Sequence, residues 1–143
     1  MADFVLDTRL QQDSVDVGNL GLCNVRLMND SRFPWLILVP RVADIIEAHD
    51  LADGAQAQLW REVTDTGRVL TRLYDADKLN VGALGNLVPQ LHVHVIARND
   101  GDSAWPGPVW GQGTPRPYAR RAMDDELDRL RSSLPVTWMM ARS

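Results

Sequence analysis

Two histidines, His92 and His94, stand two residues apart in the segment Gln90-Leu91-His92-Val93-His94-Val95-Ile96-Ala97. Side chains alternate between the faces of a β-strand, so this spacing presents both imidazoles to one side, ~6.6 Å apart along the chain. Leu91, Val93 and Val95 then form an opposite, apolar face. Three roles fit such a pair. A half-exposed strand needs polar residues outward, and imidazole meets that need with no further chemistry. A metal site would need a third ligand, and the remaining histidine, His49, belongs to a different element with no carboxylate or thiol at a telling spacing. Nucleophilic catalysis at phosphorus would use one imidazole for attack and the other to bind or protonate around it.

The pair must be carried by a strand, and the chain around it supplies one. Residues from Lys78 to Leu84 and from Gln90 to Ala97 read as two strands joined by the turn Gly85-Asn86-Leu87-Val88-Pro89. Upstream, Asn24 to Met28 and Trp35 to Val39 read as a hairpin around Asn29-Asp30-Ser31. Between these pairs, Leu59, Val63, Leu70 and Leu73 recur near the helical period, predicting a long helix from Leu51 to Tyr74 that covers one face of a sheet. Asp50 or Asp53 is its expected N-cap, and a short helical or turn segment near Asp44 to Glu47 precedes it. A Pro-, Gly- and Trp-rich loop runs from Trp105 to Pro117. Met123, Leu127, Leu130 and Leu134 then share one face of a C-terminal helix that Pro135 ends.

These elements predict an α+β domain: an antiparallel sheet of about five strands with one long helix on a face and a C-terminal helix at its edge. The 143 residues suit one domain, 1–143, with a single core. A formal net charge of -4 gives no global attraction for nucleic acid or anionic lipid, so phosphate recognition has to be local. The one cysteine, Cys23, excludes an internal disulfide framework and reads as a small buried residue at a strand edge. Met1-Ala2-Asp3-Phe4 lacks the basic and apolar runs of a secretory leader, and no apolar stretch has the length of a membrane helix, so the expected compartment is the cytoplasm.

Gln-Leu-His-Val-His-Val-Ile resembles the histidine triad (HIT) motif, His-x-His-x-His followed by apolar residues, with Gln90 in place of its first histidine. The preceding Asn80-Val81-Gly82 and Gly85-Asn86 resemble the family's Asn-x-Gly and Gly-Gln lead-in. Asp30 followed by Trp35-Leu36-Ile37-Leu38-Val39-Pro40 is similar to its ribose-binding acid and apolar strand ending in Pro. The likeness spans roughly residues 20 to 110. It implies a HIT-like fold and a nucleotide hydrolase or nucleotidyl transferase acting at the α-phosphate of a dinucleoside polyphosphate-like substrate. By that likeness His92 is the attacking group that forms a nucleotidyl-histidine, His94 contacts phosphate, and Gln90 completes the catalytic set. Asn80 and Asn86 match phosphate-contacting positions and Asp30 the ribose acid. The likeness implies a homodimer, no metal held by the protein, and magnesium only as it comes with the substrate.

Several residues depart from the pattern. Gln90 has no titrating proton, Trp35 stands where a further histidine commonly precedes the apolar strand, and Leu87 replaces a Ser or Thr hydroxyl near the leaving group. They support an alternative, a nucleotide-binding or regulatory protein with little turnover. On the likeness alone, Gln90→His is expected to leave activity equal or improve it. Trp105-Pro106-Gly107-Pro108-Val109-Trp110 either stacks on a base or packs a core or subunit edge, and packing is the reading preferred. Arg116, Arg120 and Arg121 read as a solvated helix approach and His49 as a helix-flanking surface residue.

Overall fold

A computed structural model describes residues 3–138 of the protein. Met1 and Ala2 of the leader reading, and the last five residues of the 1–143 domain, lie outside them. In chain order the elements are α1 (Thr8–Asp13), β1 (Ser14–Asn19), β2 (Cys23–Met28), β3 (Trp35–Pro40), a 3-10 turn (Ala48–Asp50), α2 (Asp53–Tyr74), β4 (Lys78–Gly82), β5 (Val93–Arg98) and α3 (Arg120–Ser133). The five strands form one sheet in the order β1-β2-β3-β5-β4, every pair antiparallel. Among the described residues no helix is long and apolar enough to cross a membrane.

The apolar run of β3 is buried along its whole length because the sheet is covered on both faces. Leu36 and Leu38 meet Val25, Val93 and Val95 beneath Leu59, Val63 and Leu70 of α2, and Leu127 and Leu130 of α3 join the same core. Trp35, Ile37 and Val39 face the other way, into a smaller core with Leu10, Phe33, Ile96 and Val109. The second core lies under α1 and the loop after β5, and it carries the histidine face.

Local chemistry fixes the long helix. Its N-cap is Ala52, which makes no side-chain cap bond, and Asp53 is the first helical residue. Asp50, the other expected cap, instead accepts the backbone N–H groups of Ile46 and Glu47 and closes the preceding turn. The buried Glu62 carboxylate accepts from the N–H groups of Leu22 and Cys23, both at 2.9 Å, and so pins the β1–β2 turn to α2. Gly67 lets the helix approach β4: a Cβ there would lie 2.9 Å from Leu79 Cδ1.

Two elements escape the sequence reading. α1 has six residues and one buried apolar side chain, too little for a periodic signal. In β1 the register against β2 shifts between Asp16 and Gly18, which breaks the alternation. The strands around the histidines are also shorter than the sequence implies. β4 ends at Gly82 rather than Leu84, and β5 begins at Val93 rather than Gln90, because the β4–β5 ladder closes at the pair Gly82↔His94. Cys23 is the buried first residue of β2, and His49 is exposed in the 3-10 turn.

The loop after β5 is anchored by Arg98, 2% exposed. Its Nε and Nη2 donate to the two Asp102 carboxylate oxygens at 2.7 and 2.9 Å, and Nη1 donates to Asn80 Oδ1 at 2.8 Å. The guanidinium lies over the rings of Phe33 and Trp105, at 5.5 and 5.7 Å. Removing one partner of a buried pair strands the other charge. Asp102→Ala is therefore expected to cost about 3–5 kcal/mol, read as a lowered midpoint in urea unfolding. Asp65→Ala, which breaks the exposed 3.1 Å pair with Arg68, is expected to cost less than about 1 kcal/mol.

Candidate active site

The alternation read from sequence holds across β5 and its approach. Leu91, Val93, Val95 and Ala97 enter the core under α2, while His92 and His94 lie on the other face, 7% and 6% exposed. Their ring centroids are 5.0 Å apart with planes at 65°. Both line one cavity of about 480 Å³. Leu10 and Asp13 of α1, Met28 at the end of β2, Trp35 of β3 and Trp110 form its walls, and residues Leu84 to Val88 form its lip.

Each imidazole has a neighbour that fixes its tautomer. His92 Nδ1 lies 2.7 Å from the Gln90 carbonyl oxygen, which can only accept, so Nδ1 carries a proton and in the neutral ring Nε2 holds the lone pair. His94 Nδ1 lies 2.9 Å from Trp35 Nε1, which can only donate, so in His94 the proton sits on Nε2. The pair thus offers one nucleophilic nitrogen and one N–H donor. Burial, followed by the neighbouring His92, pushes the His94 pKa down to about 3, so this donor is neutral at pH 7. Trp110 meets the His94 ring edge to face at 5.3 Å, and its indole Nε1 is buried without a hydrogen-bond partner among the described residues.

The other residues of interest divide. Asn86 lines the cavity with the histidines. Asn80 and Asp30 do not: the expectation of one pocket holding both with the histidines is corrected by the packing around them. Asn80 pairs with Ile96 on the histidine face, but its Oδ1 is engaged by Arg98. Asp30, 2% exposed, accepts from Arg32 Nε and Nη2 at 2.9 and 2.7 Å and from the backbone N–H groups of Arg32 and Arg116. Burial raises this carboxyl's pKa, but those donors outweigh it and hold it below the usual range. Asp30 therefore ties the turn before β3 to the approach of α3, with its acceptor capacity taken.

Gln90 is also absent from the cavity lining; its side chain turns to the N-terminal segment, accepting from Asp7 N–H and donating to the Val5 carbonyl, both at 2.9 Å. Trp110 lies in the loop that the sequence marked for packing, and it packs on the second core while lining the cavity. Sequence reasoning missed Leu10 and Asp13, because α1 itself gave no signal. Among the described residues no group of three His, Cys, Asp or Glu side chains is placed to hold a metal ion. The loose cluster Arg116, Arg120 and Arg121 is exposed and does not line the cavity.

His94 makes stability depend on pH. Unfolded, it titrates near the ordinary value of 6.5; folded, it resists protonation down to about 3. Between these values the unfolded state binds more protons, so the stability present above pH 6.5 is lost as pH falls. One such proton changes the unfolding free energy by up to about 1.4 kcal/mol per pH unit. Urea unfolding at pH 7.5, 6 and 5 is expected to show this loss, and His94→Gln to flatten it. Parallel profiles for the two proteins would mean that His94 takes up its proton in the fold as readily as in the unfolded chain.

The same fold and chain order occur in solved histidine triad proteins. The structure from Sinorhizobium meliloti has 50% sequence identity and a TM-score of 0.89, covering 92% of this chain and 97% of that one. Those from Bradyrhizobium japonicum and Marinobacter aquaeolei have 45% and 44% identity and TM-scores of 0.90 and 0.91. They cover 92% and 93% of this chain, and 98% and 97% of their own. No curated protein matches the chain. The HIT domain family matches residues 9–101, an interval that runs from α1 through β5 and includes both histidines and most of the cavity wall. The chain belongs to the HIT domain family.

Proposed function

We propose that the cavity takes a nucleoside phosphate derivative and that His92 attacks its α-phosphorus. The observation that carries this reading is the pair of fixed tautomers facing one cavity, a lone pair on His92 Nε2 beside an N–H on His94 Nε2. In the first step His92 Nε2 forms a bond to phosphorus, the bond to the leaving oxygen breaks, and the leaving phosphate departs with the electron pair. Water then attacks the nucleotidyl-histidine, the P–N bond breaks, and a nucleoside monophosphate is released; another acceptor in place of water makes the reaction a transfer. His94 donates to an equatorial oxygen as charge gathers there. Leu10, Met28, Trp35 and Trp110 give the cavity an apolar and aromatic wall suited to a base. The covalent route uses no metal held by the protein, and magnesium enters with a polyphosphate substrate.

One observation favours a second reading, nucleotide binding with little turnover. Among the described residues no Arg or Lys lines the cavity, His94 is neutral, and the Gln90 side chain is engaged by the N-terminal segment. The same observation limits the leaving group if turnover occurs. A phosphoanhydride leaves as a stabilised anion, whereas a phosphoramidate needs a proton on its departing amine.

We further propose a homodimer through β4 and α2, set in the cytoplasm. β4 is a terminal strand with an open edge, and Trp60 and Val81, 47% and 46% exposed, flank a groove of about 770 Å³ between it and the helix. At the opposite end of the sheet, Thr137 bridges to Asn19 and Arg131 donates to the carbonyls of Asp16 and Val17, so that edge is covered. Trp60 is the aromatic contact; the Trp105–Trp110 loop is occupied in its own core and at the cavity.

Single-turnover assays with a dinucleoside tetraphosphate and an adenosine phosphoramidate test the chemistry. His92→Ala is expected to lose about 10³-fold or more, and His94→Ala about 10²-fold. The phosphoanhydride is expected to outrun the phosphoramidate, and acid-quenched enzyme to carry a nucleotidyl adduct by mass spectrometry. Undiminished turnover in His92→Ala eliminates the covalent route; binding without turnover in the unmodified protein selects the second reading. For the assembly, sedimentation is expected to give a dimer at micromolar concentration and a monomer for Val81→Lys.

A further inference from the structure

We infer that Gln90 is a positioning residue that fastens the N-terminal segment as a wall of the histidine cavity. This inference rests on the reading of that cavity as the nucleotide site.

The side-chain amide of Gln90 has one acceptor and one donor end, and both are engaged by the backbone of one short stretch. Oε1 accepts from Asp7 N–H and Nε2 donates to the Val5 carbonyl, each at 2.9 Å and more than eighty positions away in sequence. The two contacts act as a rung between the approach to β5 and the segment before α1. A second tie is close by: Arg9 Nη1 donates to the Leu87 carbonyl at 2.6 Å. The Asp7 carboxylate caps α1 through Arg9 N–H at 2.8 Å, so the residue held by Gln90 is also the one that starts the helix. That helix delivers Leu10 and Asp13 to the cavity. From Gln90 the path to the cavity wall is therefore short and continuous: Gln90, the Asp7 N–H, the α1 cap, then Leu10 and Asp13.

The same residue serves His92 in another way, through its main chain. Its carbonyl holds His92 Nδ1, while its side-chain amide is engaged by Asp7 and Val5. The side chain can thus be altered without removing the bond that sets the His92 tautomer. Histidine at position 90 would not reproduce the rung, because the donor and acceptor of a neutral imidazole diverge around the ring, whereas those of an amide share one end of the side chain. On this inference Gln90→His is expected to lose the rung, in contrast to the expectation drawn from the likeness alone.

Two measurements test the inference. In the free protein, Gln90→Ala is expected to speed amide exchange of Asp7 and the following α1 amides by about tenfold or more. With a dinucleoside tetraphosphate, it is expected to raise KM about 5- to 20-fold, leave kcat within about twofold and leave the kcat–pH profile in place. Gln90→Glu, which keeps the acceptor for Asp7 and loses the donor to Val5, should fall between Gln90→Ala and the unmodified protein, and Gln90→His should resemble Gln90→Ala. Unchanged exchange in the segment overturns the inference. So does an unchanged KM, a hundredfold fall in kcat, a displaced pH profile, or a gain in kcat for Gln90→His. The exchange measurement needs no substrate: a protein that turned over no nucleotide would defeat the functional reading, and exchange alone would then decide whether Gln90 holds the segment.

Discussion

The register of β3 against β5 is the constraint on which the site depends. Trp35 pairs with Ile96 and Ile37 with His94, while Leu36 faces Val95 and Leu38 faces Val93. Because the side-chain period of a strand is two, these pairs send every leucine and valine of the match under α2 and send Trp35 and His94 together into the opposite layer. A slip of one residue would place the imidazoles beneath the long helix and send the apolar set into the histidine layer. The two-sided burial of the sheet makes that slip costly in both layers at once, so the hydrophobic core, rather than any contact between the histidines, decides where the imidazoles stand.

Within that frame, hydrogen-bond direction sets the finer detail. A carbonyl can only accept and an indole N–H can only donate, so the Gln90 carbonyl and the Trp35 ring give neighbouring histidines opposite tautomers. Neither partner titrates. A histidine in the place of Trp35 could donate or accept, and its own protonation would move the tautomer of His94; indole removes that freedom. Burial acts in the same direction, since a charged His94 would have to be stabilised where its near neighbours are aromatic rings and a second imidazole.

Much of this was legible in the sequence, and the failures are of two kinds. Strand alternation around His92 and His94, the helix carrying Leu59, Val63 and Leu70, and the hairpin of β2 and β3 are local patterns, and local patterns survive folding when the core agrees with them. The fates of Asp30 and Asn80 depended instead on which cation arrived from elsewhere in the fold. Arg32 lies two residues from Asp30 but takes it only because the turn before β3 brings them together, and Arg98 reaches Asn80 because β4 and β5 are paired. Neither competition is visible in residue spacing. The cavity wall from α1 was hidden for another reason: a six-residue helix owes its place to tertiary ties, and its sequence needs no strong helical pattern.

The departures from the histidine triad pattern are linked by what the cavity lacks. With Gln90 turned to the backbone of Val5 and Asp7, and with burial holding His94 neutral, the cavity presents N–H donors and a carboxylate, and among the described residues no Arg or Lys. An anionic phosphate entering it would meet no such cation to offset the Asp13 carboxylate in the wall, so the attraction has to come from oriented N–H groups, for which geometry matters more than it does for a point charge. That places weight on the walls. An N–H that must meet an equatorial oxygen within a few tenths of an ångström requires a substrate held at its far end, and the apolar surface of Leu10, Met28, Trp35 and Trp110 is what can hold it. The ties of Gln90 and Arg9 to the N-terminal segment, and of Arg98 to the loop leading to Trp110, then belong to the same physical scheme: where charge is not available to draw the ligand in, the polar side chains around the cavity serve to keep its walls in place.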